Sequence, residues 1–133
     1  MSKEIKDFFH AQLNEHELIL KKTKLDLEQD FIKLVNICVE SIKKKKKIIF
    51  FGNGGSASDS QHLATELTVR FSKNRKAIPA LSLVTDTSTI SAIANDFGFK
   101  YIFSRQIEAI GEKGDVAIGT VSYTHLTLPT KRI

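Results

Sequence analysis

A histidine, a glutamate and an arginine recur at four-residue intervals just after a glycine-rich stretch. His62, Glu66 and Arg70 would share one face of a helix, because side chains four positions apart lie on the same side. An imidazole, a carboxylate and a guanidinium on one helix face, close to a glycine-rich turn, predict a functional site on this helix. The alternative is an exposed helix face with an ordinary His/Glu pair.

The glycine-rich stretch Gly52–Ser56 follows the apolar run Ile48–Phe51, which is typical of a buried parallel strand. Ser56, with Asp59 three residues later, predicts a helix start that the serine oxygen caps. Free backbone N–H groups would then lie at the carboxyl end of the strand, where anions bind, close to the His/Glu pair. The stretch matches neither a Walker loop nor the dinucleotide fingerprint, so an ordinary glycine turn remains the alternative.

The elements that position these residues follow from the apolar periodicity. The pattern predicts helices over 2–23 and 26–46, a strand over 48–51, the central helix, a strand over 81–84, a helix from Asp86 or Thr87 through 94, a helix over 101–110 that Gly111 ends, and a strand over 115–119. This βαβαβ order predicts a parallel sheet with right-handed crossovers.

Two apolar ridges are expected to face the core: Leu63, Leu67 and Phe71 on the central helix, and Phe103, Ile107 and Ile110 on the later one. The segment 95–99 is expected to break the helix before it, because Asn, Asp and Gly suit turns. Its polar pair, Asn95 and Asp96, is either a ligand position or an ordinary Asx turn.

Composition indicates one soluble globular domain. The chain has 133 residues, of which 41% are hydrophobic and 26% charged, and its apolar runs are shorter than a membrane span. The first residues are charged and amphipathic, which excludes a signal peptide. A single cysteine, Cys38, excludes a disulfide framework and suits a reducing cytoplasm.

The net charge of +5 does not indicate nucleic-acid binding. Seven basic residues lie in Lys43–Lys47 and Lys131–Arg132, and without them 13 basic residues face 15 acidic ones. The lysine run contains no aromatic residue that could stack on a base, and it follows a predicted helix end, where positive charge complements the helix dipole.

The first two helices carry more apolar surface than one face of a small sheet needs. Ile5, Phe9 and Leu13 form one stripe, and Phe31 and Val35 belong to another. We expect part of this surface to be buried between subunits.

Several separated motifs resemble the sugar isomerase (SIS) domain of the phosphoheptose isomerases. They are Gly52–Ser56, His62 and Glu66 with Leu67–Thr68, Asn95–Phe99, Phe103–Arg105 and Gly114–Val116, and they occur in the same order as in the family. The resemblance covers about residues 1–119. It implies an α/β fold, a flavodoxin-like three-layer αβα domain with a parallel sheet, preceded by two amphipathic helices over about 1–46.

The resemblance also implies an activity, a cofactor and an assembly. Family members are cytoplasmic homotetramers that interconvert sedoheptulose 7-phosphate and D-glycero-D-manno-heptose 7-phosphate, for the heptose of lipopolysaccharide or related surface glycans. Carried over, Glu66 would be the base and would bind one zinc ion together with His62. The substrate-binding residues would be Asn53, Gly54, Gly55, Ser56, His62, Glu66, Asn95 and Asp96, with Ser56 at the phosphate. No nucleic acid or membrane is implied.

The chain departs from the family after Gly119. There the family has a Ser-Thr-Ser-Gly-Asn-Ser loop that holds the phosphate, and later helices supply a glutamine and a second histidine. Here residues 120–133 follow, and Ser122, Thr124 and His125 do not reproduce that loop. We therefore expect a partial SIS domain over 1–119, whose C-terminal part is missing, and a foreign tail over 120–133 that leaves the chain inactive.

Two other functions are compatible with an SIS domain. One is a non-catalytic adaptor of the kind that associates with the bacterial replication initiator, and the other is a sugar-phosphate sensor. The pair His62 and Glu66 favours the enzyme, because neither alternative needs a proton-transfer group.

Overall fold

A computed structural model describes residues 2–121 of the chain. The expected tail, apart from Thr120 and Val121, lies outside the described residues. The elements in order are α1 Ser2–Asp26, α2 Glu28–Lys43, β1 Ile48–Phe51, α3 Gly55–Thr68, β2 Ala80–Ser82, α4 Thr87–Asp96, a one-turn 3₁₀ helix Phe99–Tyr101, α5 Ser104–Ile110 and β3 Val116–Gly119. The chain forms two compact units, Met1–Ile37 and Cys38–Ile133.

The second unit is built on a three-stranded parallel sheet with the order β2-β1-β3. Ile48 of β1 pairs with Ala80 on one side and Val116 on the other. The central position of β1 explains why all four of its residues are buried. The α/β class and the parallel sheet are as expected.

Alternate residues of β1 pack into two separate cores, because successive side chains point to opposite faces of a strand. Ile48 and Phe50 pack with Ala64 of α3 and with Cys38, Ile42 and Leu67. Ile49 and Phe51 pack with Leu83, and Phe103 and Ile107 from the α5 side lie against them. The helix α3 and the helix α5 therefore cover opposite faces of the sheet.

Each face also contains a buried polar contact that fixes a helix to β2 or its end. On the α3 side, the hydroxyls of Ser60 and Ser82 lie 2.7 Å apart, and Ser60 donates to the carbonyl of Ala57. On the α5 side, the amide of Gln106 donates to the carbonyl of Leu83 at 3.1 Å. These bonds satisfy buried polar groups that would otherwise destabilise the core.

The first unit consists of α1 and the first part of α2. All of residues 3–37 are exposed, and large apolar side chains such as Ile5, Phe9 and Phe31 expose 63%, 57% and 65% of their surface. The two amphipathic helices are confirmed, and their burial between subunits stays a prediction. Within residues 2–121, no helix combines the length and the apolarity that crossing a bilayer requires.

The expected packing ridge of α3 is confirmed at Leu67, which packs against the core, and is wrong at Leu63 and Phe71. The helix ends at Thr68, so Phe71 and Arg70 lie beyond it, and Phe71 is 81% exposed. The buried positions are instead Ser60 and Ala64. Small side chains let the helix approach the strands closely, which leaves Leu63 on the outer side.

Two further local predictions are wrong, and a third is displaced by two residues. Ser56 does not cap α3, because the cap position is Gly54 and the helix already includes Ser56. The segment 95–99 ends α4 as expected, but the helix runs through Asp96, so Asn95 and Asp96 are its last residues. The stop is Gly98, whose φ of 101° suits glycine and whose N–H donates to the Ile93 carbonyl. Ile110 is 43% exposed because it is the last residue of the short helix α5.

Candidate active site

The turn after β1 needs glycine at two positions for different physical reasons. A Cβ atom on Gly52 would lie 2.6 Å from the Thr120 carbonyl oxygen and 2.7 Å from that of Ser56, which is too close for any side chain. Gly54 has open space around it but a φ of 58°, where other residues are strained. The turn is therefore fixed by close packing at its start and by backbone conformation at its end.

Thr120 joins this turn to the end of β3. Its N–H donates to the Phe51 carbonyl at 2.8 Å, and its hydroxyl lies 2.7 Å from the Ser56 carbonyl and 3.1 Å from that of Phe51. The first turn of α3 is thus held between β1 and the residue that follows β3.

A groove of about 510 Å³ lies along the first two turns of α3. It is lined by Ser56, Asp59, His62, Leu63, Thr120 and Val121. The N–H groups of Ser56 and Ala57 donate to the carbonyls of Asn53 and Gly54, both at 3.1 Å, and the helix dipole favours an anion near this end of α3. The structure therefore brings two predicted site residues, Ser56 and His62, into one groove that suits an anionic group at its helix-start end.

His62 and Glu66 form the expected contact on α3. The Nε2 atom of His62 lies 3.1 Å from Oε1 of Glu66, and the side chains are 71% and 29% exposed. An ionised carboxylate only accepts hydrogen bonds, so Nε2 carries the proton in this contact. The second oxygen of Glu66, Oε2, is buried and has no hydrogen-bond partner among the described residues.

An unpartnered buried carboxylate oxygen is costly, since its lost hydration is not replaced. A bound substrate or metal ion is one kind of group that would supply the missing partner. Glu66 does not line the groove itself but lies one turn beyond His62. At about 1.5 Å of rise per residue, about 16 Å of helix separates Gly55 from Glu66, so a substrate that touches both has to lie along α3.

The structure places Asn95 and Asp96 elsewhere. The Asn95 amide donates to the Asp96 carboxylate at 2.8 Å, and Asp96 lines a separate cleft of about 730 Å³ between β2, α4 and α5. Asp86, which caps α4 by accepting from the Thr89 N–H at 3.0 Å, and Arg105 line the same cleft. The hydrogen bonds from Thr89 hold the pKa of Asp86 below its usual range.

The donor set for zinc is incomplete within the described chain. His62 and Glu66 are of the types that zinc binds, and the unpartnered Oε2 is a suitable ligand atom. A catalytic zinc ion usually takes three protein ligands, and no group of three or more His, Cys, Asp or Glu side chains within residues 2–121 could hold a metal ion. The two residues fit as part of a zinc site and would supply two of its usual three protein ligands.

Sequence reasoning missed two site features. Asp59 was assigned only to the helix start, although its position three residues before His62 already places both on one helix face. The second is Arg75, which lies in the loop after α3 and whose guanidinium binds the last turn of that helix. No local pattern indicates that contact, because it depends on how the loop after α3 folds back.

Comparison with known proteins places this fold and site in a family. The family model described as the SIS domain matches residues 12–122. The chain belongs to the SIS domain family. Curated relatives named phosphoheptose isomerase include one from Paramagnetospirillum magneticum, 55% identical over 84% of this chain and 58% of its own length, and one from Helicobacter pylori, 45% identical over 86% and 60%.

Solved structures give the same result. A phosphoheptose isomerase from Neisseria gonorrhoeae superposes with a TM-score of 0.79 at 33% identity, covering 86% of this chain and 59% of that one. One from Francisella tularensis superposes with a TM-score of 0.80 at 26% identity, covering 85% and 59%. The chain thus spans 58–60% of the length of these relatives.

Proposed function

We propose that this SIS domain serves an aldose–ketose isomerase that interconverts sedoheptulose 7-phosphate and D-glycero-D-manno-heptose 7-phosphate. The observation that carries the proposal is the buried, unpartnered Oε2 of Glu66 beside His62. A group that must take up and return a proton needs a free lone pair held in place, and Oε2 has one. The names of the relatives supply the substrate class, a phosphorylated heptose.

Proton transfer by Glu66 accounts for the reaction. Its carboxylate removes a proton from C1 of the ketose while the carbonyl oxygen at C2 gains one, which gives an enediol. Return of the first proton to C2, with loss of a proton from the C1 hydroxyl, yields the aldose. The hydrogen bond from His62 holds Oε1, so Oε2 is the oxygen that exchanges the proton.

The phosphate is assigned to the turn before α3. Ser56 and the backbone N–H groups of Gly54 and Gly55 would bind it, with Asn53 beside them. Asn95 and Asp96 would bind sugar hydroxyls. Asp96 lines the separate cleft between β2, α4 and α5, and the Asn95 amide donates to its carboxylate.

Zinc is proposed as the cofactor, with His62 and Glu66 as two of its ligands. When bound, the ion would polarise the sugar carbonyl and stabilise the negative charge that develops on its oxygen.

The assembly is proposed to be a homotetramer in the cytoplasm that supplies heptose for lipopolysaccharide or a related glycan. The support for association is the apolar surface of the first unit, where residues such as Phe8 and Leu20 expose 67% and 68% of their surface. Light scattering of a protein with the full length of these relatives, at micromolar concentration, tests this proposal. A monomer would contradict it.

The function is tested with two proteins. One is the chain of 133 residues, and the other continues after Gly119 with the family's Ser-Thr-Ser-Gly-Asn-Ser loop and remaining helices. We expect only this second protein, the completed chain, to isomerise sedoheptulose 7-phosphate. Residues 120–133 lack the loop, and they also lack the glutamine and the second histidine that later helices supply in the family. Comparable activity in both would show that the tail completes the site.

The completed chain also separates the alternatives. An adaptor would neither bind the sugar phosphate nor isomerise it, and a sensor would bind it without turnover. Calorimetric binding combined with an assay for the aldose product distinguishes all three.

A further inference from the structure

The last turn of α3, which carries Glu66, is held by a residue far along the following loop. The Arg75 guanidinium donates from Nη2 to the Glu66 carbonyl at 2.6 Å, and from Nη1 to the Leu67 carbonyl at 2.8 Å and the Lys76 carbonyl at 3.0 Å. The side chain is half-buried. These are short hydrogen bonds from one rigid, planar cation to two successive carbonyls of the helix end.

The bonds fall where a helix is weakest. The last four carbonyls of a helix have no intrahelical donors, and its C-terminal end carries partial negative charge. Glu66 and Leu67 belong to the final turn of α3, which ends at Thr68. The Leu67 carbonyl also accepts from the Ile78 N–H at 3.1 Å. The guanidinium spans both carbonyls and complements the dipole, which opposes fraying of this turn.

Glu66 needs this support more than an ordinary surface residue does. Its Oε2 is buried without a partner among residues 2–121, so water would draw the carboxylate outward if the backbone could move. An unfavourable arrangement of this kind persists only where the surrounding structure fixes it. His62 holds one oxygen from the preceding turn, which leaves the backbone of Glu66 itself to be fixed by another group.

We propose that Arg75 is a positioning residue, which acts through the backbone of Glu66 to keep the carboxylate against His62 with Oε2 free. The inference rests on the proposed role of Glu66 as the base. It predicts that Arg75 affects the chemical step more than substrate binding, since the guanidinium contacts carbonyls of α3 and not the groove.

The first experiment does not depend on activity. It records the imidazole ¹⁵N resonances of His62 in the 133-residue chain, at a pH where the ring is neutral. Loss of the Glu66 acceptor changes the tautomer that these resonances report, and Glu66→Ala, which has no side-chain acceptor, provides the reference shift. We expect Arg75→Gln to move the His62 resonances most of the way to that reference, and Lys73→Gln, a neutralised cation in the same loop, to leave them unchanged.

Arg75→Lys guards against simple unfolding. Lysine keeps the positive charge at the helix end but cannot span two carbonyls, so we expect an intermediate His62 shift in a chain whose β1 amide resonances are unchanged. Unmoved His62 resonances in both Arg75 variants would overturn the proposal.

The second experiment uses the completed chain. Arg75→Gln should lower kcat by about 10- to 100-fold with KM within about twofold, because a small displacement of a base slows the chemical step. A rise in KM at constant kcat would overturn the proposal. If the completed parent does not isomerise the sugar, the proposed function fails, whereas the His62 resonances still decide whether Arg75 positions Glu66.

Discussion

Two carboxylates of the second unit lie in contrasting surroundings. Asp115, just before β3, has a side chain that is 6% exposed, and it accepts from the Lys47 N–H at 3.0 Å and the Glu112 N–H at 2.8 Å while pairing with the Lys47 ammonium at 2.6 Å. Glu66 on α3 is 29% exposed and pairs with His62 through one oxygen, and its other oxygen has no partner among residues 2–121.

The difference distinguishes a carboxylate that stabilises the fold from one that is available for chemistry. Each oxygen of Asp115 has a donor, so its charge fixes the amino ends of β1 and β3 to each other. Glu66 has unused capacity to accept a proton or bind an ion. Burial alone therefore does not identify a functional carboxylate, and the completeness of its hydrogen bonding is the more informative property.

The largest expected effect is on catalysis at Glu66. In the completed chain, Glu66→Gln should lower the isomerisation rate by about 100-fold or more, because the amide cannot accept the substrate proton. The free energy of unfolding should be retained, because burying an uncharged amide without a partner costs less than burying a charged carboxylate. Steady-state assays and urea unfolding measure the two properties. Glu108→Gln, an exposed position on α5, is the control, and near wild-type turnover by Glu66→Gln would remove Glu66 from the mechanism.

The opposite result is expected at Asp115. Asp115→Ala leaves two backbone N–H groups and the Lys47 ammonium without their acceptor, and it should lower the free energy of unfolding by about 3 kcal/mol. The kcat of the folded, completed enzyme should remain unchanged. A variant that loses catalysis while keeping its stability in urea would reverse the roles of the two carboxylates.

The glycine turn gives a somewhat smaller effect on stability. Gly52→Ala places a Cβ against the carbonyls of Thr120 and Ser56 and should cost about 1–3 kcal/mol, because both neighbours are backbone atoms that cannot move aside easily. Gly55→Ala is the matched control, since no atom lies within 4 Å of its Cβ, and its change should stay within about 0.5 kcal/mol. If the two variants lose the same free energy of unfolding in urea, the close approach at Gly52 does not contribute to the effect of its substitution.

The smallest expected effect is a pH dependence. Burial raises the pKa of Asp115, but the side-chain and backbone hydrogen bonds from Lys47 outweigh it, so the folded pKa lies below the ordinary value of 3.8. The unfolded chain therefore takes up the proton first as the pH falls. The stabilisation is complete above the unfolded pKa and is lost as the pH falls through the folded one.

Urea unfolding of the wild type and Asp115→Asn measures this at about pH 7 and about pH 3. The difference in unfolding free energy between the two chains should shrink at the lower pH. A constant difference would show that Asp115 keeps its ordinary pKa. The comparison between two chains removes the contribution of the other titrating carboxylates.

The sequence predicts the framework well because its signals are local. The strand β1 lies at Ile48–Phe51 as expected, Asp86 caps α4, and Gly111 ends α5 with its N–H on the Ile107 carbonyl. Apolar runs, caps and glycine stops act within a few residues of the chain, so their effect can be judged without the tertiary structure.

The failures involve contacts between distant residues. The spacing of Leu63 and Phe71 suggested a packing ridge, but close approach to the strands selected Ser60 and Ala64 instead. The pair His62 and Glu66 was identified from its spacing, whereas the role of Arg75 and the contact of Thr120 with Ser56 depend on loops that fold back over long separations. The placement of Asp96 in the separate cleft depends on the position at which α4 ends.

The register of the sheet has a consequence for how the protein is made. Ile48 pairs with Ala80 and Val116, so the central strand obtains its two neighbours from chain that is synthesised much later. Contacts between distant residues form slowly because the intervening loop must first close. During translation β1 therefore remains an apolar segment with one or both edges unpaired until β3 has left the ribosome. This interval is when nascent chains are most exposed to association with each other and when chaperones would recognise the strand.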